Sequence, residues 1–398
     1  MGYKNREKSI KILAGLLVLV LAFLLTGCGD KSIGVSDEST AVQNTVTDNN
    51  PHYTSLELKY ATQFSIDEYE NGIKHIHIED GSDYVILPEG TDESALLSIG
   101  IDNAVIIKQE PKSIYMAASS AMDLVRELDG LDRIKCCSTK AEDYAIPEIR
   151  DAIESGSISY AGKYSAPDYE MLLATGTELA IESTMIYHTP KIKEQLERLG
   201  IPVLVERSSY EQHPLGRLEW IKLYGLLLGR YDEAVSFFDD ECSRVDKLVG
   251  SLEVGNRKKV AFFSISPNGY VNVRKPQDYV SSMIDMSGGS YAFSTLTPED
   301  DNALSTVKLN WEDFYRDAVD ADIIIYNSTI YGGFETMDDL LSQNELFKDF
   351  KAVKEGNVWC TNMNLFQESS KIAVIIEDMY KVINNTDTGT VTFLYKPE

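Results

Sequence analysis

The sequence predicts an α/β protein of two lobes joined by a long helical segment. Three observations lead to this prediction. Strand and helix patterns alternate from about residue 104 to residue 213, a long amphipathic helical pattern follows over 214–256, and alternating strands and helices begin again at 257. With 398 residues the chain is long enough for two α/β domains of about 150 residues each.

The N-terminus has the pattern of a secretory signal. Four basic residues precede an uncharged apolar run, Ile12 to Leu25, which is shorter than the ~20 residues that a membrane-spanning helix needs. The run ends in Leu25-Thr-Gly-Cys28, which resembles a bacterial lipobox. We therefore expect residues 1–27 to be a lipoprotein signal peptide and Cys28 to carry the lipid (palmitate), with an uncleaved membrane anchor as the alternative.

Residues 28–53 are rich in Ser, Thr, Asn and Asp and lack the apolar residues of a core, which is typical of a disordered tether. The β-rich addition that follows, 54–103, contains a predicted hairpin with an Asn-Gly turn and a third strand. His75 and His77 alternate on one of these strands and so share a face. A metal site is one interpretation, but two polar residues on a solvated face is the favoured one, because no third ligand stands nearby.

The first lobe is predicted over 54–213 with this addition, and its candidate ligand residues follow predicted strands. Ser119 and Ser120 stand at a strand-to-helix turn, where backbone N–H groups suit an anion or carbonyl ligand and where serine also serves as an N-cap. Tyr164 and Ser165 lie in a loop with Gly and Pro at its ends.

A βαβ unit comes next, with a strand ending near Glu182 and a helix starting at Pro190. Tyr187 and His188 lie between them, where open α/β sheets bind ligands. We expect both side chains to pack against a ligand or hydrogen-bond to it, with direct coordination of iron by His188 as a weaker alternative.

The bridging helical segment covers 214–256, with a break expected at Gly229, and the second lobe covers 257–398. In the second lobe Tyr326 and Asn327 end a predicted buried strand. Arg274 follows an alternating strand and could clamp carboxylate, catecholate or hydroxamate oxygens in a bidentate manner. The alternative is an arginine that pairs with a nearby acid of the protein.

Composition excludes some functions. A formal charge of −26 disfavours nucleic-acid binding, which needs a basic footprint. The sequence has no nucleophile elbow, Walker loop, Rossmann glycine fingerprint or HExxH motif, so an enzyme is not expected. Besides Cys28 there are four cysteines without metal-ligand spacing, and we expect small buried residues.

Several segments resemble one family. The lipobox, the tether, and the stretches 161–170, 181–188, 214–220 and 302–305 are similar to the substrate-binding lipoproteins of ABC importers for iron–siderophore complexes, haem and cobalamin. The resemblance implies a class III periplasmic-binding-protein fold, in which two Rossmann-like lobes are joined by a single long helix. It implies a monomer without cofactor, anchored to the outer face of the bacterial cytoplasmic membrane, that holds an iron complex between the lobes, with a ferric siderophore as the expected ligand.

The same resemblance implies a permease and its ATPase subunits as partners. In the family one surface glutamate on each lobe docks to the permease, and the matching positions are Glu170 and Glu312. Haem or cobalamin as the ligand, and a lipoprotein that only senses or scaffolds, remain the alternatives.

Overall fold

The computed structural model describes residues 52–88, 90–101, 103–252, 255, 257–297 and 305–398. The predicted signal peptide, Cys28 and almost all of the tether lie outside these residues, as does 302–304 of the family-like segment 302–305. Among the described helices, none combines the length and the apolar character needed to cross a membrane. The predicted fold class, an α/β protein of the class III type, is confirmed.

The N-terminal addition forms a sheet of its own with a short helix. Its elements are β1 (Tyr53–Ser55), β2 (Phe64–Tyr69), β3 (Lys74–Ile78), β4 (Ser82–Leu87), α1 (Ala95–Ile99) and β5 (Val105–Lys108). Strands β1 to β4 pair antiparallel, and β5 adds parallel to β4. The strand expected to open the first lobe at residue 104 therefore belongs to this sheet, because Tyr84 to Leu87 supply its pairing partners.

The first lobe is built on a parallel sheet in the order β12-β11-β6-β7-β8. Its strands are β6 (Ile114–Met116), β7 (Ile134–Cys137), β8 (Ser159–Tyr160), β11 (Leu179–Ser183) and β12 (Val203–Glu206). Its helices are α2 (Ser119–Glu127), α3 (Pro147–Glu154), α4 (Tyr169–Ala174) and α5 (Pro190–Arg198). A small hairpin, β9 (Gly162–Lys163) and β10 (Ala166–Pro167), follows β8. Cys136 and Cys137 face opposite sides of β7, each within a separate apolar cluster.

Two helices form the bridging segment, α6 (Pro214–Leu228) and α7 (Tyr231–Gly250), with the predicted break at Gly229. Every residue of α6 is buried. It packs against α2 of the first lobe, against α7, and against helices of the second lobe. Helix α6 is therefore part of the core of both lobes.

The second lobe has a mixed sheet in the order β16-β14-β13-β17-β18-β19, with β15 paired to β13. The strands are β13 (Lys258–Ile265), β14 (Val271–Arg274), β15 (Gly289–Tyr291), β16 (Thr306–Leu309), β17 (Ile323–Tyr326), β18 (Val358–Thr361) and β19 (Leu394–Tyr395). The helices are α8 (Tyr279–Met286), α9 (Trp311–Ala318), α10 (Met337–Gln343), α11 (Lys351–Lys354) and α12 (Ile372–Asn384). Strands β13, β15, β17 and β18 run parallel.

Two buried carboxylates, Glu219 on α6 and Glu211 just before it, attach the N-terminal addition to the bridging segment. Glu219 accepts hydrogen bonds from the backbone N–H groups of residues 59, 60 and 61 at 2.7–2.8 Å and from Lys222 Nζ at 2.6 Å. Glu211 accepts from the N–H groups of residues 62 and 63. At Gly216 a Cβ atom would lie 2.9 Å from the Tyr60 carbonyl oxygen, so only glycine permits this approach.

Candidate functional site

The strand exits of the two lobes meet at Gln367. Its Oε1 accepts a hydrogen bond from the Ala145 N–H at 2.7 Å, and its Nε2 donates to the Asp143 carbonyl at 2.8 Å. Gln367 follows β18, and residues 143 and 145 follow β7, so the carboxyl ends of both sheets lie on the same side of the molecule. Parallel sheets bind ligands at this edge. The candidate site is therefore the set of loops that leave the strands there.

A second link between the lobes lies beside the first. Asp123 on α2 is fully buried, and its Oδ2 accepts a hydrogen bond from the Ser370 N–H at 2.8 Å. Lys371 Nζ lies 3.2 Å from Glu127 on the same helix. These contacts hold the base of the site in one arrangement.

Ser119 and Ser120 occupy the first turn of α2 at the exit of β6, as predicted, and both are partly exposed. The N-cap of that helix, however, is Ala118, and no side chain caps it. The interpretation of a serine N-cap is thus wrong, because the helix begins with the serines themselves. Ligand binding by the two serines and by the first-turn N–H groups stays a prediction.

Tyr164 and Ser165 form the tip of the β9–β10 hairpin after β8. Both are partly buried, and Tyr164 packs against the apolar cluster that contains Tyr115, Ala161 and Leu172. The hairpin is tight because Gly162 adopts φ +83° and a Cβ there would lie 2.6 Å from the Ala166 carbonyl oxygen.

Tyr187 and His188 lie in a short 3-10 helix, Thr184–His188, at the exit of β11, and both are exposed. The Tyr187 hydroxyl donates to Asp80 Oδ2 at 2.6 Å and accepts from Arg207 Nη1 at 3.1 Å. Although burial opposes it, hydrogen bonds from Tyr187 and Ser82 hold the pKa of Asp80 below its usual value. Asp80 belongs to the β3–β4 turn, so the N-terminal sheet reaches the strand exits of the first lobe.

Arg274 does not face open space as the clamp hypothesis required. Its Nε and Nη2 donate to the two carboxylate oxygens of Asp278, each at 2.7 Å, and the residue is 8% exposed. The rings of Tyr279 and Phe366 lie 5.1 and 5.7 Å from its guanidinium carbon. The alternative interpretation, pairing with an acid of the protein, describes this arrangement, since Asp278 follows four residues later as the N-cap of α8.

Tyr326 and Asn327 end β17 as predicted but are buried, at 3% exposure each. The Tyr326 ring packs between Phe263 and Phe334, and its hydroxyl accepts from the Ile265 N–H at 3.4 Å. Asn327 Oδ1 accepts from the N–H and hydroxyl of Thr329 and so shapes the loop. Both residues therefore belong to the protein interior at the end of β17 and are not exposed to a ligand.

Sequence reasoning missed the exposed apolar side chains at these exits. They are Met185 after β11, Tyr270 after β13, Ile330 and Tyr331 after β17, and Met363 after β18. Each is 46–55% exposed. The signal was available, because all five lie two to five residues beyond the end of a strand. The prediction singled out other residues of these exits, such as Tyr187 and His188.

Glu182 is an unusual group in this region. It lies on β11 one residue before its end and is fully buried, and neither carboxylate oxygen has a hydrogen-bond partner within the described residues. The Tyr115 hydroxyl on the neighbouring strand is likewise unpaired in that part of the chain. Burial raises the pKa of Glu182 to about 8, so the neutral acid is the main form at pH 7.

His75 and His77 share one face of β3, as predicted. His75 Nε2 and His77 Nδ1 lie 2.9 and 3.0 Å from the same oxygen, Asp83 Oδ1. Across the described ranges of the chain, no group of three or more His, Cys, Asp or Glu residues is arranged to hold a metal ion.

The proposed permease-docking positions are exposed. Glu170 lies in the first turn of α4 and Glu312 in the first turn of α9, one on each lobe. Their role stays a prediction.

The comparisons with known proteins agree with this architecture. Residues 131–363 match the sequence model of the periplasmic binding protein family. An uncharacterized lipoprotein of Methanocaldococcus jannaschii is 25% identical over 385 residues, which cover 90% of this chain and 88% of that protein.

Solved structures share the fold at low identity. A periplasmic haem-binding protein from Pseudomonas aeruginosa aligns with a TM-score of 0.57 and 15% identity over 72% of this chain and 98% of that chain. The petrobactin-binding protein of Bacillus subtilis aligns with a TM-score of 0.56 and 12% identity over 70% of this chain and 93% of that chain. The chain therefore belongs to the periplasmic binding protein family, as the resemblance of its sequence segments predicted.

Proposed function

We propose that this protein is the substrate-binding lipoprotein of an ABC importer and captures a small-molecule iron complex, such as a ferric siderophore, between its lobes. It is tethered outside the cell membrane through Cys28 and passes the complex to a permease with ATPase subunits. Glu170 and Glu312 would contact that permease, one from each lobe. It performs no chemistry on its ligand.

One observation supports this proposal most: the strand exits of both lobes lie at one edge, joined by Gln367, and there they expose aromatic and apolar side chains. Such side chains stack on a chelate without reacting with it. Solved structures of a haem-binding, a catecholate-siderophore-binding and a petrobactin-binding protein have the same fold. A relative named as a lipoprotein agrees with the anchor.

Binding is tested by titrating the purified protein, without residues 1–27, with ferric siderophores, haem and cobalamin while following the fluorescence of its tryptophans and tyrosines. We expect saturable quenching by at least one ligand. A panel that leaves the emission unchanged would contradict the proposal.

Closure around the ligand should be modest. The links Gln367–Ala145 and Asp123–Ser370 and the shared helix α6 already join the lobes. Solution scattering with and without ligand should therefore give nearly the same radius of gyration. A large compaction would indicate a hinge that these contacts do not permit.

We further propose that the N-terminal sheet positions Tyr187 for the ligand. Asp80→Ala removes the acceptor of the Tyr187 hydroxyl and should weaken ligand binding about tenfold, because a hydrogen bond to a charged group contributes about 1.5 kcal/mol. Asp83→Ala, on the same hairpin but paired with His75 and His77, is the matched control. Equal affinities of the two variants would mean that Tyr187 needs no such support.

Haem is the second candidate because His188, Tyr187 and the exposed methionines are residue types that ligate haem iron. A Soret band that appears on addition of haem and shifts in His188→Ala would favour it. A band that the substitution leaves unchanged would remove His188 as the axial ligand.

A further inference from the structure

We infer that the ligand is a neutral or positively charged chelate that presents an apolar face, and that polyanionic chelates are excluded. This inference rests on the proposed function and narrows its substrate class. It follows from the partners of the cationic side chains near the strand exits, which are groups of the protein itself.

Two buried arginines, Arg274 on β14 and Arg217 on the bridging helix α6, are committed to protein partners. Arg274 forms a bidentate ion pair with Asp278, and its positive charge is thereby neutralised. Arg217 is buried, donates to the Ser208 carbonyl at 3.2 Å and lies 4.1 Å from the centre of the Tyr279 ring. Neither guanidinium can turn to an anionic ligand without leaving a buried group unpaired.

Arg207 at the exit of β12 is engaged in the same way. Its guanidinium donates to Gln63 Oε1 at 3.0 Å and to the Tyr187 hydroxyl at 3.1 Å, and it stacks on Tyr210 at 4.5 Å. Asp80 completes the chain of hydrogen bonds through Tyr187, so the group as a whole carries no excess positive charge.

The exit loops of the second lobe, 266–270, 327–336 and 361–368, contain no lysine or arginine in their sequence. Their charged residues are the acids Glu335 and Glu368. The residues that they expose most are Tyr270, Ile330, Tyr331 and Met363. This lobe therefore offers a ligand aromatic and apolar contacts and a weakly negative rim.

The lysines near the strand exits of the first lobe supply little positive charge to an anionic ligand. Lys140 Nζ lies 3.0 Å from Glu142, which neutralises it. Lys163 on the β9–β10 hairpin is exposed, and an ion pair at an exposed position contributes little to binding. The chain as a whole carries a charge of −26, which repels anions at long range. Transferring a trianion into such a site would remove its hydration without supplying counter-charges.

The test compares metal chelates of different charge. Ferrioxamine B, a cationic ferric trihydroxamate, and neutral cyanocobalamin represent the accepted class; ferric enterobactin, a trianionic tricatecholate, represents the excluded one. We expect the best accepted probe to bind at least ~100-fold more tightly than ferric enterobactin, the ratio expected when a charge is desolvated without a partner. Tight binding of an anionic probe would overturn the inference and leave the proposed function standing. If no probe binds, both fail.

A charge-addition variant gives a second readout. Ile330→Arg places a guanidinium at the exposed rim and should raise the affinity for ferric enterobactin about twofold to fivefold, as one partly exposed ion pair allows. Leu173→Arg adds the same charge at an exposed apolar position of α4, away from the strand exits, and should change it little. Equal gains in both variants would mean that only net charge matters, which would contradict a charge-selective site.

Discussion

Replacing Glu182 by glutamine should stabilise the folded protein at pH 8 by about 4 kcal/mol and leave its stability near pH 4.5 almost unchanged. The reason is proton linkage. The pKa of this buried carboxyl is raised from 4.5 to about 8 by burial, so between these pH values the folded chain retains a proton that the unfolded chain has released. Stability then falls by up to ~1.4 kcal/mol per pH unit as the pH rises. Glutamine has the same shape and no charge to desolvate.

Urea denaturation of both proteins at several pH values between 5 and 8 measures this difference. Glu178→Gln is a useful control because the Lys112 N–H and Lys108 hold the pKa of that carboxyl below its usual value, the opposite sign. Glu178 should therefore stabilise the fold above its ordinary pKa, and its substitution should cost about 0–1 kcal/mol at neutral pH. If the pH profiles of the native protein and Glu182→Gln ran parallel, the buried carboxyl would have to be ionised and paired.

Glu219→Ala should destabilise the protein by about 3–5 kcal/mol. The substitution removes the acceptor of three backbone N–H groups at 59–61 and leaves the Lys222 ammonium, which is 4% exposed, without its carboxylate partner. We expect the N-terminal sheet to detach first, since the anchored segment leads directly into β2. Limited proteolysis should then cleave near residues 56–63.

Asp239→Ala is the matched control for this second prediction. Asp239 also pairs with the segment, through Lys59 Nζ at 2.7 Å, but both side chains of that pair are nearly half exposed. Its loss should cost under about 1 kcal/mol. A Glu219→Ala protein as stable as the Asp239→Ala protein would show that water replaces the buried carboxylate.

Local patterns were enough to predict most elements of the fold. Helix α5 begins at Pro190, where the sequence pattern placed it, and Gly229 separates α6 from α7 with φ +71°. Strand β5 was assigned to the wrong sheet. Its apolar run is compatible with a strand in either sheet. Only the long-range pairing with β4 shows that it belongs to the N-terminal sheet.

The exposure of the candidate residues was easier to predict in the first lobe than in the second. Tyr187 and His188 lie in a turn beyond a strand, so their exposure follows from the turn. Tyr326 is the last residue of β17, which has neighbours on both sides, and its side chain enters the core. The anchoring role of Glu211 and Glu219 had no local signal either, because their partners lie about 150 residues earlier in the chain.

The complete burial of α6 affects how the protein unfolds. A lobe that opened alone would have to expose the face of α6 that it covers, and the other lobe would lose part of its own core in the same step. Periplasmic binding proteins of two lobes could in principle melt in two stages, but here the shared helix couples the stages. The two lobes should therefore unfold as one cooperative unit, with no long-lived half-folded form exposed to proteases outside the cell.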